Sequence, residues 1–296
     1  MKIFLTGATG YIGSQLAKRL LLEGHKLAIV IRPKSNLKVL HKLIPQIEVH
    51  IYDGSYASLF TALNTSKPDL VFHIASLFIA QHKQDDIPSL IESNINFPVQ
   101  LLEAMNQLGI KKFINTGTSW QHFNNEDYNP VNLYAATKQA FESLLTFYVE
   151  SQGLKVITLK LFDTYGPGDF RPKLFSLLRK AASTGETLRM SPGQQLLDLV
   201  YIDDVLEAYK LAIEQLSVIQ KSESYAISSL TTISLRDLVK IYSETVDRKV
   251  NIEWGGLPYR EREVFLPWKN FNLMSGWRAN IILEDGINRM ENLIND

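Results

Sequence analysis

A chain that runs from a short apolar stretch, Lys2-Ile-Phe-Leu-Thr6, straight into Thr6-Gly7-Ala8-Thr9-Gly10-Tyr11-Ile12-Gly13 has few folds open to it. The apolar stretch is rich in strand formers. Beyond the glycines, Ile12, Leu16 and Leu20, with Ala17 and Leu21, recur at helix spacing, and Gly24 supplies a stop. Strand, tight turn and helix in that order is the context in which spaced glycines mean dinucleotide binding. One glycine permits the turn, the next lets the backbone approach a pyrophosphate, and the third allows close helix–strand packing. The free N–H groups at the helix start then face the phosphates. Gly7, Thr9, Gly10, Tyr11, Ile12 and Gly13 are therefore candidate cofactor contacts; the alternative is a plain glycine-rich turn.

Lys26-Leu-Ala-Ile-Val-Ile31 reads as the second strand. An acidic residue at its end would bond the ribose hydroxyls of NAD, but Arg32-Pro33-Lys34-Ser35 stands there. Arg32 and Lys34 are suited to a 2′-phosphate, with Ser35 as an added donor. The expected cofactor is NADP(H), with NAD(H) as the alternative.

Further along, Tyr134-Ala-Ala-Thr-Lys138 places a phenol and an ammonium on one helix face. A phenol has an ordinary pKa of about 10, and a nearby ammonium favours its ionised form. Such a pair can exchange a proton with a carbonyl or alcohol. In isolation the pair would be ordinary helix surface; the upstream glycine motif makes it a catalytic candidate.

The chain carries 31 basic and 31 acidic residues, with no basic tract, so nucleic-acid binding has no electrostatic support. With no cysteine there is no thiol nucleophile, disulfide or Cys-based metal site, and the six histidines lack ligand-like spacing, so no metal is expected. A strand starting at residue 2 and the lack of a long apolar stretch predict no signal peptide and no membrane insertion. A cytoplasmic enzyme is expected.

Strand-like runs at Ile47–Tyr52, Leu70–Ile74, Lys112–Thr116 and Val156–Phe162 alternate with helical patterns, notably Pro88–Gly109 and Leu133–Gly153. This predicts an α/β fold: a Rossmann-type, doubly wound parallel sheet. The alternation weakens after Tyr165, at Gly166-Pro167-Gly168. Residues 1–163 plus 199–227 are expected to form the dinucleotide-binding domain, with Leu199–Leu216 returning to the main sheet. Residues 164–198 plus 228–296 are expected to form a smaller C-terminal substrate-binding lobe, with the ligand between the two.

These motifs resemble the extended short-chain dehydrogenase/reductase family of nucleotide-sugar epimerases, dehydratases and reductases. The resemblance runs through nearly the whole chain. It rests further on Asp53-Gly54, Phe72-His73-Ile74-Ala75, Ser93-Asn94-Ile-Asn-Phe97, Asn115-Thr-Gly-Thr118-Ser119, Leu161-Phe-Asp-Thr-Tyr-Gly-Pro-Gly168, Asp198-Leu-Val-Tyr-Ile-Asp-Asp-Val205 and Ser275-Gly-Trp277. It implies that Thr118 is the catalytic hydroxyl beside Tyr134 and Lys138. It also implies cofactor contacts at Asp53, Gly54, Ile74, Ala75, Ser76, Asn94, Thr116 and Phe162, as well as at Tyr134 and Lys138 themselves. Phe113–His122 and Tyr128–Lys138 look most like bacterial 4-reductases of CDP- or dTDP-linked 4-keto-6-deoxysugars, which serve O-antigen deoxysugar synthesis. A homodimer through the helices holding Asn94–Asn106 and Tyr134–Glu150 is the family's common assembly.

The sequence also departs from the family pattern. Leu197 stands where an arginine often contacts the substrate diphosphate, so Lys173, Arg189 and Arg260 become candidates for that clamp. Asp163 replaces a usual asparagine. Trp120 and His122 occupy the short loop after Thr118 and are candidate sugar contacts, or else packing residues.

The expected reaction is NADPH-dependent reduction of a C4 ketone. Tyr134 donates the proton, Lys138 lowers its pKa and holds the nicotinamide ribose, and Thr118 fixes the carbonyl. An NAD-retaining 4-epimerase would use the same three residues, but Arg32 weighs against it. A 4,6-dehydratase needs an acid–base pair directly after Thr118, where Ser119-Trp120 stands. A non-catalytic NADP-sensing regulator on the same fold would have little use for the Tyr134–Lys138 pair.

Overall fold

Alternate residues of the first strand pack on opposite sides of one sheet: Ile3 and Leu5 join one hydrophobic core, and Phe4 joins another. The same alternation recurs along the sheet. Leu27, Ile29 and Ile31 face the first core while Ala28 and Val30 face the second, and Phe72 and Val71 divide likewise. Strands buried on both faces demand helices on both faces. The computed structural model describes residues 1–169 and 171–292. Phe170 and residues 293–296 of the expected C-terminal lobe lie outside the described residues.

The strands are β1 Lys2–Thr6, β2 Lys26–Ile31, β3 Ile47–Ile51, β4 Leu70–His73, β5 Lys112–Thr118, β6 Lys155–Leu161, β7 Asp163–Tyr165, β8 Leu188–Met190, β9 Leu196–Tyr201, β10 Ser222–Ile227, β11 Thr232–Ser234 and β12 Ile252–Trp254. The helices are α1 Tyr11–Leu22, α2 Tyr56–Ser66, α3 Ile87–Ile91, α4 Phe97–Gln107, α5 Leu133–Gln152, α6 Leu174–Thr184, α7 Ile202–Gln215, α8 Leu235–Thr245 and α9 Leu283–Asn292. The main sheet has the order β10-β6-β5-β4-β1-β2-β3. Its pairings are all parallel. The chain leaves β1 for β2 and β3 on one side and returns as β4 on the other, so the order reverses between β1 and β4. Ligands of such sheets lie outside the carboxyl ends of the strands at that reversal.

Apart from the main sheet lie a three-stranded sheet, β11-β9-β7, and a two-stranded one, β12-β8. This corrects one expectation. The strand near Leu199 does not return to the main sheet; β9 pairs with β7 and β11. The edge beside β6 is taken by β10, which leaves β9 no place there.

Local signals set the two helices that matter most. The Asn132 side chain caps α5 by accepting from the Ala135 N–H at 2.9 Å, and Gly153, at φ +67°, ends the helix in the left-handed region. The helical pattern read over Pro88–Gly109 is real but interrupted: a π-turn at Glu92–Asn96 separates α3 from α4 and carries Asn94. Among the described residues no helix is long and apolar enough to cross a membrane.

Candidate active site

The turn after β1 is built for close approach. Gly7 has φ +74°, and a Cβ there would lie 2.5 Å from the Ala75 nitrogen. A Cβ on Gly13 would lie 2.1 Å from the Gly7 oxygen, so only glycine lets α1 start this near the turn. The first turn of α1 has neither a side-chain cap nor an acidic residue, which leaves its N–H groups for an anion. Thr6 binds this turn to the end of β4: its Oγ1 accepts from the Ile74 and Ala75 N–H groups, both at 3.2 Å, and lies 3.0 Å from His73 Nδ1. These features fit the pyrophosphate of a dinucleotide. At the end of β2, Arg32 and Lys34 are exposed and have no ion-pair partner among the described residues. Ser35 Oγ accepts from the Arg32 backbone N–H at 3.0 Å.

Two cofactor candidates have their side chains occupied by the fold. The Asp53 carboxylate accepts from the Ser55 N–H at 2.9 Å and hydroxyl at 2.7 Å, bonds that hold it below its ordinary pKa. The Thr116 hydroxyl lies 2.6 Å from the Tyr209 hydroxyl.

The three catalytic candidates converge. Thr118 ends β5, and Tyr134 and Lys138 lie in the first turns of α5. Ser76 and Thr118 act on the Tyr134 hydroxyl and favour its ionised form. Lys138 is buried, and burial lowers its pKa to about 8, opposed by the Glu142 carboxylate one turn along. The expectation that Lys138 lowers the Tyr134 pKa is corrected. Burial dominates and pushes the phenol up to about 12, while Ser76, Thr118 and the charge of Arg171 pull the other way and lose. Tyr134 is therefore held protonated near neutral pH. Buried Asn94 ties the loop after β4 to α5: its Oδ1 accepts from Ser76 Oγ at 3.1 Å and the Leu77 N–H at 2.8 Å, and its Nδ2 donates to Thr137 Oγ1 at 2.9 Å.

Beside this cluster opens a cavity of about 390 Å³. Phe78, Trp120, His122, Phe162, Asp163, Lys173, Arg260 and Trp268 are among its lining residues. Phe78 is the hinge of the aromatic wall, edge-on to Tyr134 at 5.0 Å and 5.6 Å from Trp120. Phe162 lines the wall parallel to Trp268 at 6.4 Å.

His122 is buried against Trp268, stacked at 3.8 Å. Its Nδ1 lies 3.0 Å from the Glu126 carbonyl and must donate to it, so Nε2, 2.8 Å from Lys160 Nζ, accepts. Burial, then Lys160, lowers its pKa to about 4. With both nitrogens engaged, His122 gives the cavity only an apolar edge. Lys160 also pairs with Glu142 at 3.4 Å, and Gln121 bonds both Glu142 and the Thr118 N–H.

Residues 3–228 match the profile of the NAD dependent epimerase/dehydratase family. The chain belongs to that family. It is an NAD(P)-dependent enzyme of oxidoreductase type, in the extended short-chain dehydrogenase/reductase class. It is 29% identical to a CDP-abequose synthase of Yersinia pseudotuberculosis over 90% of this chain and 92% of that one. It is 25% identical to a UDP-glucose 4-epimerase of Lacticaseibacillus casei, over 86% and 84% of the two chains. In fold it is similar to a UDP-glucuronic acid 4-epimerase from Bacillus cereus solved with UDP-glucuronic acid and NAD, with TM-score 0.88 and 23% identity, covering 100% of this chain and 99% of that one.

As a member of this family the chain has its own distribution of charge. Arg189, a clamp candidate from sequence, is not brought to the cavity: it is exposed on β8, paired with Glu253 at 3.5 Å and donating to the Gly256 carbonyl. Its strand pairs with β12, with Arg189 opposite Glu253 in the register. Lys173, at the start of α6, and Arg260 do line the cavity, over Phe78 at 5.4 Å and Trp120 at 5.8 Å. Asp163 lines it and acts on Lys173 electrostatically. Sequence reasoning missed Phe78, Glu142, Lys160, Arg262 and Trp268. Only Glu142 carried a signal, lying at the next helix-face position after Tyr134 and Lys138.

Proposed function

We propose that this protein reduces the C4 carbonyl of a nucleotide-linked 4-keto-6-deoxyhexose, a CDP- or dTDP-sugar, with NADPH. The observation that carries the reading is Tyr134. Burial holds its hydroxyl protonated against the pull of Ser76 and Thr118, and its ring meets the aromatic wall of the cavity. A protonated phenol suits the reductive direction, in which the carbonyl oxygen must receive a proton as the alkoxide develops.

Bound NADPH supplies the hydride. Thr118 donates to the carbonyl oxygen and fixes its place, and Tyr134 gives up the hydroxyl proton to it. The groups that favour the phenolate left behind are Ser76, Thr118 and the charge of Arg171, and Lys138 holds the ribose. Thr9, Gly10, Tyr11 and Ile12 line the phosphate turn, with Arg32, Lys34 and Ser35 at the 2′-phosphate. Lys173 and Arg260 hold the substrate diphosphate. Phe78, Phe162 and the edge of His122 offer no free donor to the sugar, which suits a methyl carbon rather than a hydroxymethyl group. The active unit in this reading is a homodimer through α4 and α5, where Leu144 and Phe147 are exposed.

Support for reduction comes also from the relatives named CDP-abequose synthase. The relative named UDP-glucose 4-epimerase supports a second reading, in which the same trio works with retained NAD. NADPH oxidation measured against CDP-, dTDP-, UDP- and GDP-linked 4-keto-6-deoxysugars separates the two. Stoichiometric oxidation with one of them is expected. Epimerisation of a UDP-hexose without net cofactor consumption would overturn the proposal.

A further inference from the structure

Three polar side chains close over Gly117, the residue before Thr118. A Cβ there would lie 2.9 Å from Glu142 Oε1, 2.9 Å from Lys160 Cγ and 3.1 Å from Gln121 Oε1, so a glycine is what leaves room for them. Lys160 reaches the spot because it stands opposite Gly117 in the β5–β6 register. Gln121, Lys138 and Lys160 are all buried.

The Gln121 amide can point only one way. Its Oε1 accepts from the Thr118 N–H at 3.0 Å, so Nε2 is the end that donates to Glu142 Oε1 at 3.1 Å and to Gln139 Oε1 at 2.7 Å. The other Glu142 oxygen pairs with Lys160 Nζ at 3.4 Å. Lys160 makes its closer bond to His122 Nε2, at 2.8 Å. A neutral imidazole cancels no charge, so one carboxylate serves two buried ammonium groups, Lys160 and Lys138. Glu142 lies one turn beyond Lys138 on the same face of α5. Burial drives Lys138 toward its neutral form, and Glu142 supplies the charge that opposes it. The other ionisable groups around Lys138 bring no negative charge. Burial and then the Lys138 charge keep His73 of β4 neutral, and burial keeps Tyr134 protonated.

We propose that Glu142 is a positioning residue for the cofactor: its carboxylate, fixed behind β5 by Gln121 and Lys160, keeps Lys138 in the ammonium form that holds the nicotinamide ribose. The inference rests on the reading that Lys138 holds the ribose, and it is independent of which carbonyl the enzyme reduces. Lys160 sets how much of the carboxylate's field is left for Lys138. Removing the Glu142 charge should therefore let Lys138 lose its proton at lower pH. Removing the Lys160 charge should let Lys138 keep its proton to higher pH.

The test is titration of the full-length protein with NADPH at pH 6, 7, 8 and 9, with each variant's affinity taken relative to the wild type at the same pH. Glu142→Gln keeps the shape and an oxygen for the Gln121 bond, and removes the charge. An opposite charge at this spacing moves an ionisation by about one pH unit or more. The Glu142→Gln deficit should therefore grow by about fivefold or more between pH 6 and pH 9. Lys160→Met should change in the opposite sense, its relative affinity rising from pH 7 to pH 9, and it decides the matter if Glu142→Gln does not fold. A ratio that stays flat with pH in either folded variant overturns the inference. So does a fall in both, because damage to the packing behind Gly117 would not follow the sign of the charge removed. If Lys138→Met binds NADPH as the wild type does at every pH, the ribose-holding reading itself fails, and this inference with it.

Discussion

Asn94 donates to Thr137 Oγ1 at 2.9 Å, and that hydroxyl donates to the Tyr134 carbonyl at 2.7 Å. One buried carboxamide thus connects the π-turn between α3 and α4, the loop after β4 and the first turn of α5. Its remaining donor contact is the Leu77 carbonyl at 3.0 Å. Asn94→Ala would strand several buried partners, and each unmade bond costs about 1–3 kcal/mol. The expected outcome is a destabilised protein with reduced kcat, measured by urea denaturation alongside steady-state rates. Full stability in the variant would show that water replaces the carboxamide.

Tyr134→Phe removes the proposed proton donor and leaves the ring against Phe78. Turnover should fall by about 10²–10⁴-fold with cofactor affinity almost unchanged. Wild-type rates with a verified substrate would remove Tyr134 from the mechanism.

Thr118→Val deletes a hydroxyl at near-constant volume. The fold should survive, since the Thr118 N–H bond to Gln121 belongs to the backbone. A lower kcat is expected; if kcat holds, the carbonyl partner is Ser119 and not Thr118.

Arg32 should set the choice between NADPH and NADH. Because its side chain has no ion-pair partner among the described residues, Arg32→Ala should cost NADPH roughly 10–150-fold in affinity and leave NADH nearly untouched. Titration of the apo protein with both cofactors at two salt concentrations measures this. Equal affinities in the wild type would sink the 2′-phosphate role and favour the epimerase.

Lys138 makes stability depend on pH. Its folded pKa, about 8, lies below its ordinary value of 10.5. Between those values the unfolded chain binds the proton and the folded one does not, so stability rises with pH, by at most about 1.4 kcal/mol per unit. Below about 8 both states are protonated and the full cost of burying the charge is present. Tyr134, raised from 10.0 to about 12, acts oppositely only above its unfolded value. Denaturation midpoints of wild type and Lys138→Met at pH 7, 8, 9 and 10 should therefore separate in favour of the wild type as pH rises from 8. Parallel profiles would show that Lys138 is not held low.

Local sequence was enough for the parts of this protein that are local in space. Gly7 and Gly13 are demanded by contacts within one turn and with the next strand end, and Tyr134 and Lys138 share a face because helical periodicity puts them there. The doubly wound sheet was legible for the same reason, since each strand and helix announces itself over a few residues. Tertiary structure decided whatever depends on which distant segments meet. Strand β9 joined the small sheet because β10 had taken the edge beside β6. Arg189 meets Glu253 across the β8–β12 pair and not the cavity. His122 became a closed-off wall only because Lys160, Glu126 and Trp268 converge on it. The Tyr134 pKa moved up rather than down because burial, which no spacing of residues reveals, outweighs the charges around it.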